Sequence, residues 1–410
     1  MFGSALATIC VLAIAICPAS SFRSLNSRVL NKPLSATVGS ANLDWPNLGF
    51  EYSATESFVK CEYKNGEWGE VKLETDPFVR IHIGATALHY GQACFEGMKA
   101  FHTENGKVCI FRPNENFERI SRSSIRVCMP PLPEEKFINA MKLVVRENLA
   151  YVPVIATFLL HQTASMENIQ HLLILPDSDF FLSQPYGTGG ALYIRPLLYG
   201  SGPRIGLQPS DEYTFIAMVL PVADYYKGGL KQVPAMVVEG YDRAAPQGVG
   251  AAKVAGNYAA DLIPNMAAKK AGFPIALYLD AKTHTLVEEF STSNFIAVDK
   301  ETGAYVTPKS DAILASITNK SLMELAEDEG IEVQRRQVTI EEVMHGKFSE
   351  VAACGTAVVV TPVNKIVYKD RVAIISEGSD VGPVTRKLYS RVRSIQNGEA
   401  ADKFGWMVEV

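Results

Sequence analysis

Gly250-Ala-Ala-Lys253-Val-Ala-Gly-Asn-Tyr258 is the most informative run of the chain: one lysine among small residues, with a tyrosine five positions later. Small side chains let a backbone bend close to a ligand. Leu262, Ile263 and Met266 recur at helical spacing before Gly272, which predicts a helix over Asn257 to Ala271. The start of that helix would set free N–H groups and Tyr258 beside the lysine amine. A Walker A loop is excluded, because Val254 stands where Ser or Thr is required.

Working outward, Phe137, Met141, Val144, Val145 and Leu149 predict a helix over Glu134 to Tyr151. Phe215 to Val222, Pro274 to Leu279, Phe295 to Val298 and Ala357 to Val360 read as buried or half-buried strands. Mixed strands and helices imply an α/β or α+β chain. The stretch from Pro221 to Pro234, with Tyr225-Tyr226-Lys227-Gly228-Gly229, carries turn chemistry and is read as an interdomain connection over 222–234. A small α/β domain is then expected over 44–221 and a larger one over 235–410.

The composition is that of a folded globular protein: 410 residues, 47% hydrophobic, 20% charged, 39 Lys+Arg against 44 Asp+Glu. Collagen-like, disordered and nucleic-acid-coating classes are excluded, and a net charge of -5 offers no basic stripe for phosphate backbones. Outside the leader, Cys61, Cys94, Cys109, Cys128 and Cys354 form no CxxC pair and are read as reduced thiols. The seven histidines show no HxH or HExxH spacing, so no metal site is expected.

Six islands, in order along the chain, carry a resemblance: Leu88-His-Tyr-Gly91 with Phe95-Glu-Gly-Met-Lys-Ala-Phe101, Phe111-Arg-Pro-Asn-Glu-Asn-Phe-Glu-Arg119, Tyr193-Ile-Arg-Pro196, Lys253 to Tyr258, Glu289-Phe-Ser-Thr-Ser-Asn294 and Cys354-Gly-Thr-Ala357. Residues 45–410 resemble the branched-chain amino-acid aminotransferases, two-domain fold-type IV enzymes that use pyridoxal 5'-phosphate. The resemblance implies that Lys253 holds the cofactor aldehyde and is then released as a base. Glu289 would pair with the protonated pyridine nitrogen and Tyr258 would meet the ring 3-oxygen. Arg119 would clamp the phosphate, helped by the Thr356 hydroxyl and by the amides of Ile317 and Thr318 ahead of a helix over Asn319 to Leu325. Thr292 would join the cofactor contacts. Tyr90, Phe95 and Tyr225 would form apolar walls, Tyr193 and the Thr356-Ala357 turn would hold the α-carboxylate, and Arg195 would meet a γ-carboxylate.

The implied reaction is transamination between leucine, isoleucine or valine and 2-oxoglutarate, by a homodimer with the cofactor between domains, with neither nucleic acid nor membrane as partner. The alternatives are a D-amino-acid aminotransferase, an aminodeoxychorismate lyase, or an inactive cofactor-binding form. Ala255 and Leu314-Ala-Ser-Ile317 depart from the family pattern, and Val358 and Thr361 replace a redox CxxC, so no thiol switch is expected.

Two segments stand apart. Leu6 to Cys17 is an apolar run of signal-peptide length, and the following residues up to Leu43 hold Arg23, Arg28 and Lys32 without an acid. The junction Ala19-Ser20-Ser21-Phe22 within residues 1–43 resembles that of the bipartite leader of algae with secondary plastids, with mitochondrial import and secretion as the alternatives. Between Tyr151-Val152-Pro153 and Pro185, where the family runs on directly, 31 residues (154–184) intervene. Val codons begin with GT and one Gln codon is CAG, so Val154 and Gln184 fit the ends of an intron retained in frame; a genuine surface insertion is the rival.

Overall fold

The computed structural model describes residues 37–45, 48–154, 190–223, 230–378 and 380–410. Tyr225, residues 155–184 and residues 1–36 lie outside these. No helix among the described residues is long and apolar enough to cross a membrane.

A first sheet joins β1 (Phe58–Lys64), β2 (Glu67–Trp68), β3 (Lys72–Glu74), β4 (Ala93–Phe95), β5 (Met98–His102), β6 (Val108–Phe111), β7 (Ala191–Gly200), β8 (Tyr213–Val222) and the C-terminal β18 (Met407–Glu409). Its main path runs β18-β6-β5-β7-β8-β1-β2. Three helices accompany it: α1 (Thr86–Tyr90), α2 (Pro113–Arg126) and α3 (Glu134–Arg146). The buried face of α3, Phe137, Met141, Val144 and Val145, joins Leu192, Ile194 and Phe215 in one core. Each such side chain contributes roughly 1.5–3 kcal/mol when fully buried.

The expectation that α3 runs to Tyr151 is corrected. Asn148 turns its side chain back onto Val144 O (2.7 Å) and across to Ser57 O (3.0 Å), and a 3-10 turn over Leu149–Tyr151 follows. A side chain that satisfies the last carbonyls in place of the next amides ends the helix.

A second sheet holds β9 (Val233–Val237), β10 (Ile275–Leu279), β11 (Val287–Phe290), β12 (Ser293–Asp299), β13 (Tyr305–Pro308), β14 (Val333–Arg336), β15 (Phe348–Gly355), β16 (Val359–Tyr368) and β17 (Arg371–Ile374). The path β11-β10-β9-β16-β15-β12 closes on itself because β11 also pairs with β12. Phe290 and Phe295 stack inside it, their ring centroids 5.9 Å apart. Alternation along β11 therefore turns Glu289 to the other face. Around it lie α4 (Ala255–Ala260), α5 (Leu262–Lys270), α6 (Ile317–Asp328), α7 (Ile340–Met344) and α8 (Pro383–Asn397).

Three further expectations are corrected. The helix over Asn257 to Ala271 is two, α4 and α5. Pro264 has no N–H to give to Ala260 O, and the break falls at Asp261, whose carboxylate is taken up by the Tyr278 hydroxyl (2.5 Å) and Asn265. Ala357 and Val358 lie in the turn between β15 and β16, so the strand starts only at Val359. Their apolarity comes from lining a cavity and not from a strand core. Finally, α6 starts at Ile317, so Ile317 and Thr318 occupy its first turn, and the Ser316 side chain caps it by accepting from Asn319 N (3.2 Å).

Gly250 shows why small residues precede Lys253. A Cβ there would sit 2.1 Å from Ala312 O. Gly250→Ala is expected to lose about 1–3 kcal/mol of stability, as overpacking does. Denaturant midpoints of the two proteins measure it, and an unchanged midpoint would contradict the close approach.

Candidate active site

The backbone of Lys253 is tied to the first sheet before its side chain does anything. Its N–H donates to Ser123 Oγ (2.9 Å) on α2, and its carbonyl accepts from Phe95 N (3.1 Å) at the end of β4. The side chain then reaches Tyr258 on α4, where Nζ donates to Oη at 2.8 Å. Burial, reinforced by the positive charge of Arg119, lowers the Lys253 pKa from 10.5 to about 8. Burial raises that of Tyr258 to about 12, so its hydroxyl stays protonated.

Phe95 supports this amine. Lys253 Nζ lies 4.7 Å from the Phe95 ring centroid, the Tyr258 ring meets Phe95 edge-on at 4.8 Å, and the Arg195 guanidinium lies 4.9 Å from the same centroid. Arg195 donates to Tyr193 Oη from Nε (3.2 Å) and Nη2 (3.1 Å). Tyr193 in turn packs on Gly97, where a Cβ would fall 2.1 Å from the phenol oxygen. An apolar wall that ends in a guanidinium is thus in place beside a partly neutral amine.

Glu289 on β11 is buried, facing Asn294 across the β11–β12 pair. Its carboxylate accepts from Leu314 N (3.0 Å) and Asn294 Nδ2 (3.0 Å), and Arg243 Nη1 lies 2.7 Å away as an ion pair without hydrogen-bond alignment. Burial raises the Glu289 pKa to about 7 even though Arg243 opposes the shift. A carboxylate offers about four acceptor positions, and two hydrogen bonds with the close Arg243 contact leave one for a further donor.

Arg119, buried on α2, is held by Glu96 through Nε to Oε1 and Nη2 to Oε2, both 2.7 Å, and Nη1 donates to Ala315 O (2.9 Å). The first turn of α6 stands next in chain to Ala315, and Ile317, Thr318 and Thr356 line one small cavity with Gly97 and Asn116. Thr356 Oγ1 touches Gly97 O at 3.4 Å.

This donor set fits an aromatic aldehyde phosphate: an amine partly neutral near pH 8, a buried carboxylate with one acceptor position left, and a guanidinium at a helix start. Residues 93–366 match the family model described as amino-transferase class IV. The chain belongs to the class IV aminotransferases. As such it uses pyridoxal 5'-phosphate. It is 40% identical over 375 residues to a branched-chain-amino-acid aminotransferase of Haemophilus influenzae, covering 90% of this chain and 99% of that protein. It is 37% identical over 371 residues to one of Helicobacter pylori, covering 90% and 98%. The crystal structure of the Escherichia coli branched-chain amino acid aminotransferase matches with a TM-score of 0.66 at 25% identity, over 86% of this chain and 99% of that one. The branched-chain amino acid aminotransferase of Thermobaculum terrenum, solved in its PLP-form, shares the fold with a TM-score of 0.65 at 20% identity, covering 87% and 99%.

Of the residues singled out by sequence, this aminotransferase brings Lys253, Tyr258, Phe95, Tyr193 and Arg195 into one cluster, within electrostatic reach of Arg119. Glu289 acts on Tyr258 from the second sheet. Thr292 is exposed in the β11–β12 turn and lines, with Thr356 and Ala357, a cavity of about 200 Å³. Tyr90 is exposed on α1, its hydroxyl on Ile205 O. A separate cleft of about 600 Å³ reaches Leu314 to Ile317 but includes neither Lys253 nor Tyr258, so size alone points away from the chemistry.

Two residues of the site were missed. Glu96 lies in the Phe95 to Phe101 motif, where nothing local marks it as the partner of Arg119. Arg243 sits in a stretch with no periodicity, and its only signal is the buried acid it faces, visible in three dimensions alone.

Proposed function

We propose that the enzyme catalyses transamination between L-leucine, L-isoleucine or L-valine and 2-oxoglutarate. The observation that carries this reading is the single Phe95 ring with the Lys253 amine at 4.7 Å and the Arg195 guanidinium at 4.9 Å. An aliphatic side chain meets an apolar wall, while the longer acidic side chain of the second substrate reaches a cation. The names of the bacterial relatives agree with it.

Pyridoxal 5'-phosphate supplies the aldehyde that carries the amino group and the ring that accepts the electrons released at Cα. Lys253, neutral in substantial part near pH 8, serves as the nucleophile and moves the Cα proton. Tyr258 accepts from that amine and so aims it. Glu289, paired with Arg243, would accept a hydrogen bond from the pyridine nitrogen's proton on its remaining acceptor position. Arg119, Thr356 and the first turn of α6 would hold the phosphate. Tyr193 and the Thr356-Ala357 turn take the α-carboxylate.

The working form is read as a homodimer. Ile83 just ahead of α1, Leu88 and Tyr90 on it, and Ile205 and Leu207 on the neighbouring 203–207 segment are exposed, and the Ala85–Pro203 bridge joins the two segments. Tyr90 can wall a substrate pocket where a second copy covers this patch. The composition of residues 1–43 supports a plastid address, and with it a place at the last step of branched-chain amino-acid synthesis. A fusion of residues 1–60 to a fluorescent protein tests the address, and spliced transcript read from Pro153 to Pro185 tests whether 154–184 belong to the protein.

Turnover of leucine, D-alanine and aminodeoxychorismate, the first two with 2-oxoglutarate, separates the main reading from its alternatives. Leucine is expected to be consumed and the other two left; turnover of either alternative in its place contradicts the reading. The Lys253 pKa also sets a pH profile. Only the neutral amine attacks the aldehyde, so the rate of cofactor capture by apo-protein is expected to rise about tenfold per pH unit on the acid side and level off above about pH 8. A rise that continues towards pH 10 would show an amine left at its ordinary value.

A further inference from the structure

Glu96 is a fully buried carboxylate that the reaction as described does not use. It accepts four hydrogen bonds: from Arg119 Nε and Nη2 at 2.7 Å each, from Asn116 Nδ2 at 2.7 Å and from Gly97 N at 3.1 Å. Asn116 and Arg119 are three residues apart on α2, so both donors stand on one face of that helix. With Ala315 O taking one Nη1 proton, three of the five guanidinium N–H donors are used, which leaves one on each terminal nitrogen. One unused donor on each terminal nitrogen suits two oxygens of one anion.

We propose that Glu96 is the positioning residue of the phosphate site: by occupying the side edge of Arg119 it turns the end edge to the cofactor phosphate and keeps it there. This rests on the reading of Arg119 as the phosphate clamp. Two effects oppose each other, since the carboxylate charge repels a phosphate while its hydrogen bonds aim the fork. Orientation outweighs charge here, because Arg119 neutralises Glu96 through a paired contact, and a long guanidinium side chain without that contact has many rotamers open to it. Glutamine cannot replace it, because its amide sets an NH₂ against one of the two guanidinium donors.

The test uses the full chain freed of cofactor and compares dissociation constants for pyridoxal 5'-phosphate and for pyridoxal, which lacks the phosphate. Glu96→Gln is expected to weaken binding of the phosphorylated form tenfold or more while pyridoxal changes less than twofold. The double variant with Arg119→Ala is expected to bind no worse than Arg119→Ala alone. Equal weakening of both ligands would reduce Glu96 to a general packing role, and unchanged or tighter phosphate binding would overturn the proposal outright. If Arg119→Ala itself shows no phosphate-selective loss, the clamp reading fails first, and Glu96 has nothing to position. Should Glu96→Gln not fold, Glu96→Asp, which keeps the charge but is one methylene shorter, is read by the same ratio with the same expectation.

Discussion

Lys253→Ala protein is expected to fold and to lose transamination by a factor on the order of 10⁵ or more. Folding survives because what Lys253 contributes to the architecture is backbone: the bonds to Ser123 Oγ and Phe95 N remain, and the side chain gives up only its contacts with Tyr258 and the Phe95 ring. Activity does not survive, because the same amine is needed as nucleophile and as base, and no other amine among the described residues is placed over the Phe95 ring. Leucine-dependent glutamate formation measures the loss, and circular dichroism checks the fold. Residual activity within a hundredfold of the parent would move the chemistry to another residue.

Glu289→Gln is expected to have the next largest effect, lowering turnover by roughly 10²–10³-fold. The carboxylate balances the positive charge that the pyridine nitrogen carries, and an amide of the same shape cannot. The variant also leaves Arg243 buried without its counter-charge, so the cofactor-free protein is expected to lose about 3 kcal/mol or more of stability. The two losses are read separately, by steady-state rates with saturating cofactor and by denaturant unfolding without it. A variant that is destabilised yet turns over normally would leave Glu289 a structural partner of Arg243 and nothing more.

How much of this was legible in the sequence differs by kind of feature. Apolar periodicity placed the helix over Glu134 and the strand through Phe215, because packing on a core demands that spacing. It overran where one side chain rewrote the backbone bonds: Asn148 cut a helix short, and Pro264 divided another. It failed at Ala357 and Val358, whose apolar character belongs to a cavity wall in a turn. Motif reading reached Lys253, Tyr258 and Glu289, residues whose chemistry is local to their own segment. It did not reach the partners that tune them. Glu96 with Arg119, and Arg243 with Glu289, are separated by 23 and 46 positions, and only the folded chain sets them in contact. The position of Tyr90 was likewise hidden, since exposure is a property of the assembled surface.

Borohydride treatment of the cofactor-loaded protein, followed by peptide mapping, bears most directly on the central claim. Reduction is expected to fix the cofactor irreversibly to a single lysine in the peptide that spans Gly250 to Tyr258, at Lys253, and to bleach the visible absorbance. Label recovered on another lysine, or none recovered from protein that binds the cofactor, would contradict the account.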